Sequence, residues 1–222
     1  LWSGLYTLND YMDREHDKKH EVKKLRPIPS GAVNAGVALL FAAVLLIVSF
    51  AIGHYIFTKT QTWLYVLCLL GMLINQLLYT VKPFELKKRA VLDLVSGSLV
   101  NPFFRFYAGW VLLIPAFNAP FDILGFVLLV QFGGYALYRM STKEHERNLG
   151  YRSSVVVLPE KIVKGAAYAG LALAGISYLH ATLFGTLPLR FLLLVALSLL
   201  TAPLYASALR EPQKIDMERM YN

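Results

Sequence analysis

Apolar runs at roughly 33–57, 61–81, 91–114, 120–141, 161–183 and 188–208 are each long enough to cross the hydrocarbon core of a bilayer, which takes about 20 helical residues. A segment in lipid must satisfy its own backbone polar groups, and a run of that length does so as a helix. The expected fold is therefore all-α: a polytopic membrane helix bundle with six full transmembrane helices plus part of another. The partial helix is the opening LWSGLYTL, too short to span and without the basic region or cleavage site of a signal peptide. The whole of 1–222 reads as a single transmembrane domain. Composition agrees, with 56% hydrophobic and 16% charged residues.

The connections at 58–60, 115–119 and 184–187 are short, and the others are long and charged. Short and long alternate, as they must when helices run up and down. Nearly all cations fall on the long-loop side, from Arg14, Lys18 and Lys19 through Lys82, Lys87, Lys88 and Arg89 to Arg139, Lys143, Arg147 and Arg152; the other side has Lys59 and Arg190. By the positive-inside rule the charged loops are expected to face the cytoplasm. The net charge of +8 is concentrated in these loops rather than spread over a soluble face, so no nucleic-acid partner is expected. Cys68 is the one cysteine, which excludes a disulfide framework and a cysteine metal site.

The first charged stretch, NDYMDREHDKKHEVKKLRPIPSG, places Asp10, Asp13 and Asp17 at i, i+3 and i+7, within about 60° of one another on a helix. Three carboxylates on one face repel, but hard cations such as Mg²⁺ want several carboxylate oxygens and share them with substrate phosphate. The surrounding Arg14, Lys18, Lys19, Lys23, Lys24 and Arg26 can take the remaining phosphate oxygens. A solvated juxtamembrane loop accounts for the charge count equally well. His16 and His20 form an HxxxH without a further zinc ligand, which favours a surface or phosphate contact over a metal site.

A second loop, YTVKPFELKKRAVLD, brings Lys82, Lys87 and Arg89 as candidate phosphate ligands beside Tyr79 and Asp93, with Lys88 as a membrane-surface anchor. A third, MSTKEHERNLGYRSS, adds Glu144 and Glu146 as metal oxygens and Lys143, Arg147 and Arg152 as cations. Along 91–114 a polar stripe of Asp93, Gly97, Asn101 and Arg105 recurs every four residues. Arg105 lies about 18 Å from Asp93 along the axis, deep enough to require an interior partner such as Asp122. Asn75, Asn101 and Gln131 are candidate pocket residues, and interhelical hydrogen bonding explains them as readily. Gly165 and Ala169, with Gly170 and Ala174, form small-xxx-small spacings for close helix packing.

NDYMDREHD resembles the first aspartate motif, NDxxDxxxD, of the UbiA superfamily of intramembrane prenyltransferases at Asn9, Asp10, Asp13 and Asp17, and RPIPSG at 26–31 resembles that motif's usual exit. The resemblance covers nearly the whole chain, as helices two to eight of the family's nine, so the first and last helices are expected to be lacking. It implies a Mg²⁺-dependent transfer of a prenyl group from a polyprenyl diphosphate to an aromatic or lipid acceptor within the membrane. Asp10, Asp13, Asp17 and Glu146 would be catalytic and would bind the metal with Glu144, while Asn9, Arg26, Lys82, Lys87, Arg89, Lys143 and Arg147 would bind the diphosphate. Tyr79, Tyr135 and Tyr138 would line the pocket with Asn75, Asn101, Arg105 and Gln131, offering π-faces to an allylic cation. The family's second motif, DxxxD, falls on Thr142 and Glu146, so the second metal position is complete only if Glu144 substitutes for Thr142. The family's Tyr-x-x-x-Lys meets Pro83 here, leaving Lys82 or Lys87 to take the lysine's place. Two alternatives remain: phosphoribosyl transfer to a prenyl phosphate, and a non-catalytic isoprenoid-binding membrane protein.

Overall fold

A computed structural model describes residues 1–19, 23–194 and 197. Among them the regular elements are helical: α1 Trp2–Asp17, α2 Ala35–Thr60, α3 Leu64–Thr80, α4 Leu92–Val95, α5 Asn101–Leu113, α6 Phe121–Ser141, α7 Lys143–Asn148, α8 Ser154–Val157 and α9 Glu160–Leu183. Three of these, α2, α6 and α9, are long and apolar enough to cross a membrane, and α3 is apolar over 17 residues. Of the six full spans expected, the described residues supply these three. The run at 188–208 lies mostly outside them, as does His20.

The described residues divide into two units, 1–86 with 107–117 and 87–106 with 118–197. In the first, Asn34 caps α2 by accepting from the Gly36 and Val37 amides at 2.8 and 3.3 Å. The outer surface of α2 shows Val37, Leu40, Phe41, Val44 and Ile47 uncovered, while Ala38 and Ala42 are buried. Small residues there let α1 approach: a Cβ on Gly4 would sit 3.1 Å from the Ala42 carbonyl, and Leu5 is fully buried beside it. That seam fixes the face of α1 on which the aspartates emerge.

In the second unit, α6 and α9 share the largest contact, around a core of Leu94, Ala136, Leu137, Met140, Val155, Val163 and Ala167. The closest approach is at Gly133, where a Cβ would lie 2.5 Å from Leu171 Cγ and 2.8 Å from the Ala167 carbonyl. A Cβ on Gly170 would lie 3.0 Å from the Phe132 ring and Ala174 is buried, so that half of the small-residue spacing packs as expected. Gly165 faces open space. Because the Ala167 carbonyl is main chain and cannot rotate away, Gly133→Ala is expected to cost about 1–3 kcal/mol. Gly165→Ala should be neutral, and thermal unfolding in detergent separates the two.

The run at 91–114 is not one continuous α-helix. A π-helical turn, Ser96–Val100, lies between α4 and α5. Ser98 Oγ donates to the Leu94 carbonyl at 2.5 Å, and Pro102, which has no N–H to give the Ser98 carbonyl, follows the turn. The turn sets Gly97 against the Tyr135 ring, whose edge lies 2.7 Å from where a Cβ would be. Hydropathy counts apolar residues and does not register such a change of helical pitch.

Candidate active site

The first aspartate motif, at 9–17, occupies the end of α1, and a loop follows it. Arg26 comes back from that loop and its Nη1 donates to Asp10 Oδ1 at 2.8 Å and to Asp17 Oδ2 at 3.0 Å. Two carboxylates seven residues apart therefore converge on one cationic nitrogen, as the helical spacing requires. Asn9 Nδ2 donates to Asp13 Oδ2 at 3.3 Å, and Asn9 Oδ1 in turn accepts from Thr80 Oγ1 at 3.0 Å and Gln76 Nε2 at 3.4 Å on α3. Gln76 also donates to Thr80 Oγ1 at 3.0 Å. Asp13 is thus oriented through Asn9 by a neighbouring helix.

Burial pushes the Asp10 carboxyl above its ordinary value, against the pull of Arg26 and with repulsion from Asp13 adding to the rise. Burial does the same for Asp17, opposed by Lys23 and Arg26 and reinforced by Asp13 and Asp10. A further positive charge here would favour the ionised forms of Asp10 and Asp17. The donor set is entirely carboxylate oxygen, which suits Mg²⁺, and Arg26 Nη1 marks a point where a cation is held by two of the three. Among the described residues no three His, Cys, Asp or Glu side chains are close enough to enclose an ion.

The first unit also holds Asn75, buried on α3, with Tyr79 at its end and Lys82 exposed beyond it. The remaining residues expected at the site belong to the second unit. There Glu146 is buried, and its two carboxylate oxygens are already engaged: Oε2 by Arg139 Nη2 at 2.8 Å and Ser153 Oγ, and Oε1 by Thr142 Oγ1. Arg139 Nη2 also reaches Asp93 Oδ2 at 3.2 Å and the Lys87 carbonyl at 3.0 Å. Asp93 is fully buried and accepts from the Ser154 amide at 3.1 Å and from Ser154 Oγ. In this arrangement Glu146 and Thr142 anchor the loop rather than present oxygens to a metal. Glu144, expected to substitute for Thr142, is exposed and pairs with Arg147 at 2.8 and 3.0 Å. Lys143 sits 4.0 Å from Glu160, and Lys87 is buried.

Of the expected pocket residues in this unit, Asn101 is buried just after the π-helical turn, Tyr135 packs on Gly97 with the Arg139 guanidinium 6.0 Å from its centroid, and Tyr138 lies 6.4 Å from Tyr135. Gln131 and Arg105 are exposed. Asp122, the anticipated partner of Arg105, instead accepts from Thr186 Oγ1 at 2.8 Å and lies 3.1 Å from His180 Nδ1. Gln76, Thr80, Arg139, Ser153 and Ser154 were not anticipated as site residues. Polar residues one turn apart on apolar α3, and an arginine inside the apolar run of α6, were the available signals.

The UbiA prenyltransferase family matches residues 1–221. Protoheme IX farnesyltransferase of Bacillus mycoides is 29% identical over 169 residues, 74% of this chain and 52% of that protein. Decaprenyl-phosphate phosphoribosyltransferase of Mycobacterium tuberculosis is 33% identical over 135 residues, 55% of this chain and 41% of that protein. The chain spans about half the length of the curated relatives it matches. Among solved structures, a UbiA homolog from Archaeoglobus fulgidus bound to GPP and Mg²⁺ superimposes with a TM-score of 0.73 at 21% identity, covering 92% of this chain and 71% of that one. The match along 1–221, the shared helical fold and the aspartates gathered at the end of α1 lead to one conclusion: this chain belongs to the UbiA prenyltransferase family.

Proposed function

We propose that the protein is a Mg²⁺-dependent membrane prenyltransferase that moves a polyprenyl group from its diphosphate to an aromatic or lipid acceptor. The observation that carries this is the convergence of Asp10 and Asp17 on a single cationic nitrogen, with Asp13 held beside them through Asn9. The family membership and the relatives' names support it, as does the Archaeoglobus homolog bound to GPP and Mg²⁺. Asp10, Asp13 and Asp17 would hold the metal, which when bound neutralises a diphosphate leaving group. Arg26 and Lys82 supply donors for its remaining oxygens, and Lys87, Arg89, Lys143 and Arg147 are assigned to the same anion. The allylic C–O bond breaks with its electron pair passing to the diphosphate. The resulting cation is captured by a nucleophilic carbon or oxygen of the acceptor, which then loses a proton. Tyr79, Tyr135 and Tyr138 offer π-faces to the cation, with Asn75, Asn101, Arg105 and Gln131 on the acceptor side. Apolar helices keep water from it. The charge distribution of the loops supports placing this chemistry at the cytoplasmic face of a bilayer.

A second chemistry, phosphoribosyl transfer to a prenyl phosphate, is favoured by the relationship to the decaprenyl-phosphate enzyme. Full-length protein in nanodiscs, supplied with labelled geranylgeranyl diphosphate, Mg²⁺ and a panel of aromatic and lipid acceptors, is expected to release diphosphate only with Mg²⁺ present. Parallel reactions with phosphoribosyl diphosphate and a prenyl phosphate test the second chemistry. Tight prenyl-diphosphate binding without turnover in any of these would instead identify an isoprenoid-binding protein.

A further inference from the structure

The loop at 23–33 is folded on itself: the Arg26 amide donates to the Lys23 carbonyl at 3.0 Å, the Ser30 amide to the Arg26 carbonyl at 3.0 Å and the Val33 amide to the Pro27 carbonyl at 2.9 Å. From it the Arg26 side chain reaches α1, with Nη1 2.8 Å from Asp10 Oδ1 and 3.0 Å from Asp17 Oδ2. One guanidinium therefore balances part of the charge of three neighbouring carboxylates and ties the loop to the helix. Burial raises the Asp10 and Asp17 carboxyls, and Arg26 and Lys23 both act against that rise. Arg26 does so from a point between their oxygens.

A Mg²⁺ bridging the same two oxygens would sit about 2.1 Å from each, in the space that Nη1 fills. Two cations cannot share that point, so such a metal must displace the nitrogen. The exchange trades one positive charge for two beside three carboxylates, which Coulomb attraction favours. Mg²⁺ gives up its water reluctantly, so a guanidinium seated between the oxygens sets a threshold for the metal. The released guanidinium is not stranded. Arg26 is part-exposed, and its fork matches the oxygens of a diphosphate that arrives with the metal. Its release unties the loop from α1, and capture of a diphosphate ties it again.

We propose that Arg26 is a built-in counter-ion of the aspartate motif, displaced by the divalent cation and then recruited to the diphosphate, so that the tether on the loop at 23–33 follows the metal. This rests on Asp10, Asp13 and Asp17 being the metal site. Hydrogen exchange, and Mn²⁺ titration followed by electron paramagnetic resonance, test it without turnover on the full-length protein in phosphatidylcholine nanodiscs. Mn²⁺ alone should speed amide exchange within 23–33 by about threefold, the equivalent of losing one partly exposed ion pair, and inorganic diphosphate added next should slow it again. R26Q should bind Mn²⁺ about tenfold more tightly than the parent protein, with exchange already fast and indifferent to the metal. K23Q removes a charge that acts on the same two carboxyls and leaves Arg26 in place, so its gain should stay below about threefold. Should R26Q fail to fold, the exchange response of the parent protein carries the test. The proposal is overturned if Mn²⁺ binds the parent while exchange in 23–33 is unchanged or slower, if R26Q binds it no more tightly, or if K23Q gains as much as R26Q. Each of these leaves the proposed metal-diphosphate chemistry standing. No Mn²⁺ binding to the parent or R26Q, with or without diphosphate, would overturn both readings.

Discussion

Asp13→Ala is expected to lower Mg²⁺-dependent release of diphosphate by on the order of 10³-fold while leaving thermal stability close to that of the unmodified protein. Asp13 is the cleanest of the three carboxylates to remove. Asp10 and Asp17 both hold Arg26, so deleting either also removes an ion pair that anchors the loop after α1. Asp13 accepts from Asn9, and Asn9 keeps its bonds to Thr80 and Gln76 when Asp13 is gone. A smaller loss, about tenfold, is expected for Thr80→Val, which removes one donor from Asn9 and loosens the carboxylate it orients. Steady-state rates over a Mg²⁺ titration check both variants. Full activity in Asp13→Ala would remove the metal-diphosphate assignment for this motif.

How much of this was legible in the sequence varies with the range of the interaction. The shared direction of Asp10, Asp13 and Asp17 follows from helical period alone, so spacing was enough. The Arg26 bridge was not, because Arg26 is sixteen residues from Asp10 and nine from Asp17, and its place depends on the path of the intervening loop. KEHERN offers Glu144 and Glu146 alike as metal oxygens, and nothing local shows that Glu146 is drawn inward. That burial depends on an arginine seven residues earlier and a serine seven residues later. The role of Gly133 is hidden for a related reason: spacing within one helix does not show close approach, which is decided by what the facing helix presents, here Ala167 and Leu171. Thr142 looked like a lost metal ligand. In the structure its hydroxyl serves Glu146 and the Arg139 carbonyl, so the substitution and the burial of Glu146 belong together.

Arg139→Met is expected to destabilise the protein by about 3–5 kcal/mol, the largest stability effect of any single change considered. The substitution keeps much of the side-chain volume, so the loss comes from charge rather than packing. Asp93 and Glu146 would remain buried without the guanidinium between them, and the Lys87 carbonyl would lose its donor. Pairing the change with Glu146→Gln should recover part of the loss, because one of the two stranded charges is then neutral. Equilibrium unfolding of the single and double variants gives the coupling directly, and an Arg139→Met protein within about 1 kcal/mol of the parent would contradict the assignment. Glu146→Gln alone then decides what the carboxylate is for. A metal ligand would raise the Mg²⁺ concentration needed for half-maximal rate with little effect on unfolding. An anchor held by Arg139, Ser153 and Thr142 should do the reverse, lowering stability while the Mg²⁺ dependence stays in place, and that second outcome is the one the geometry predicts.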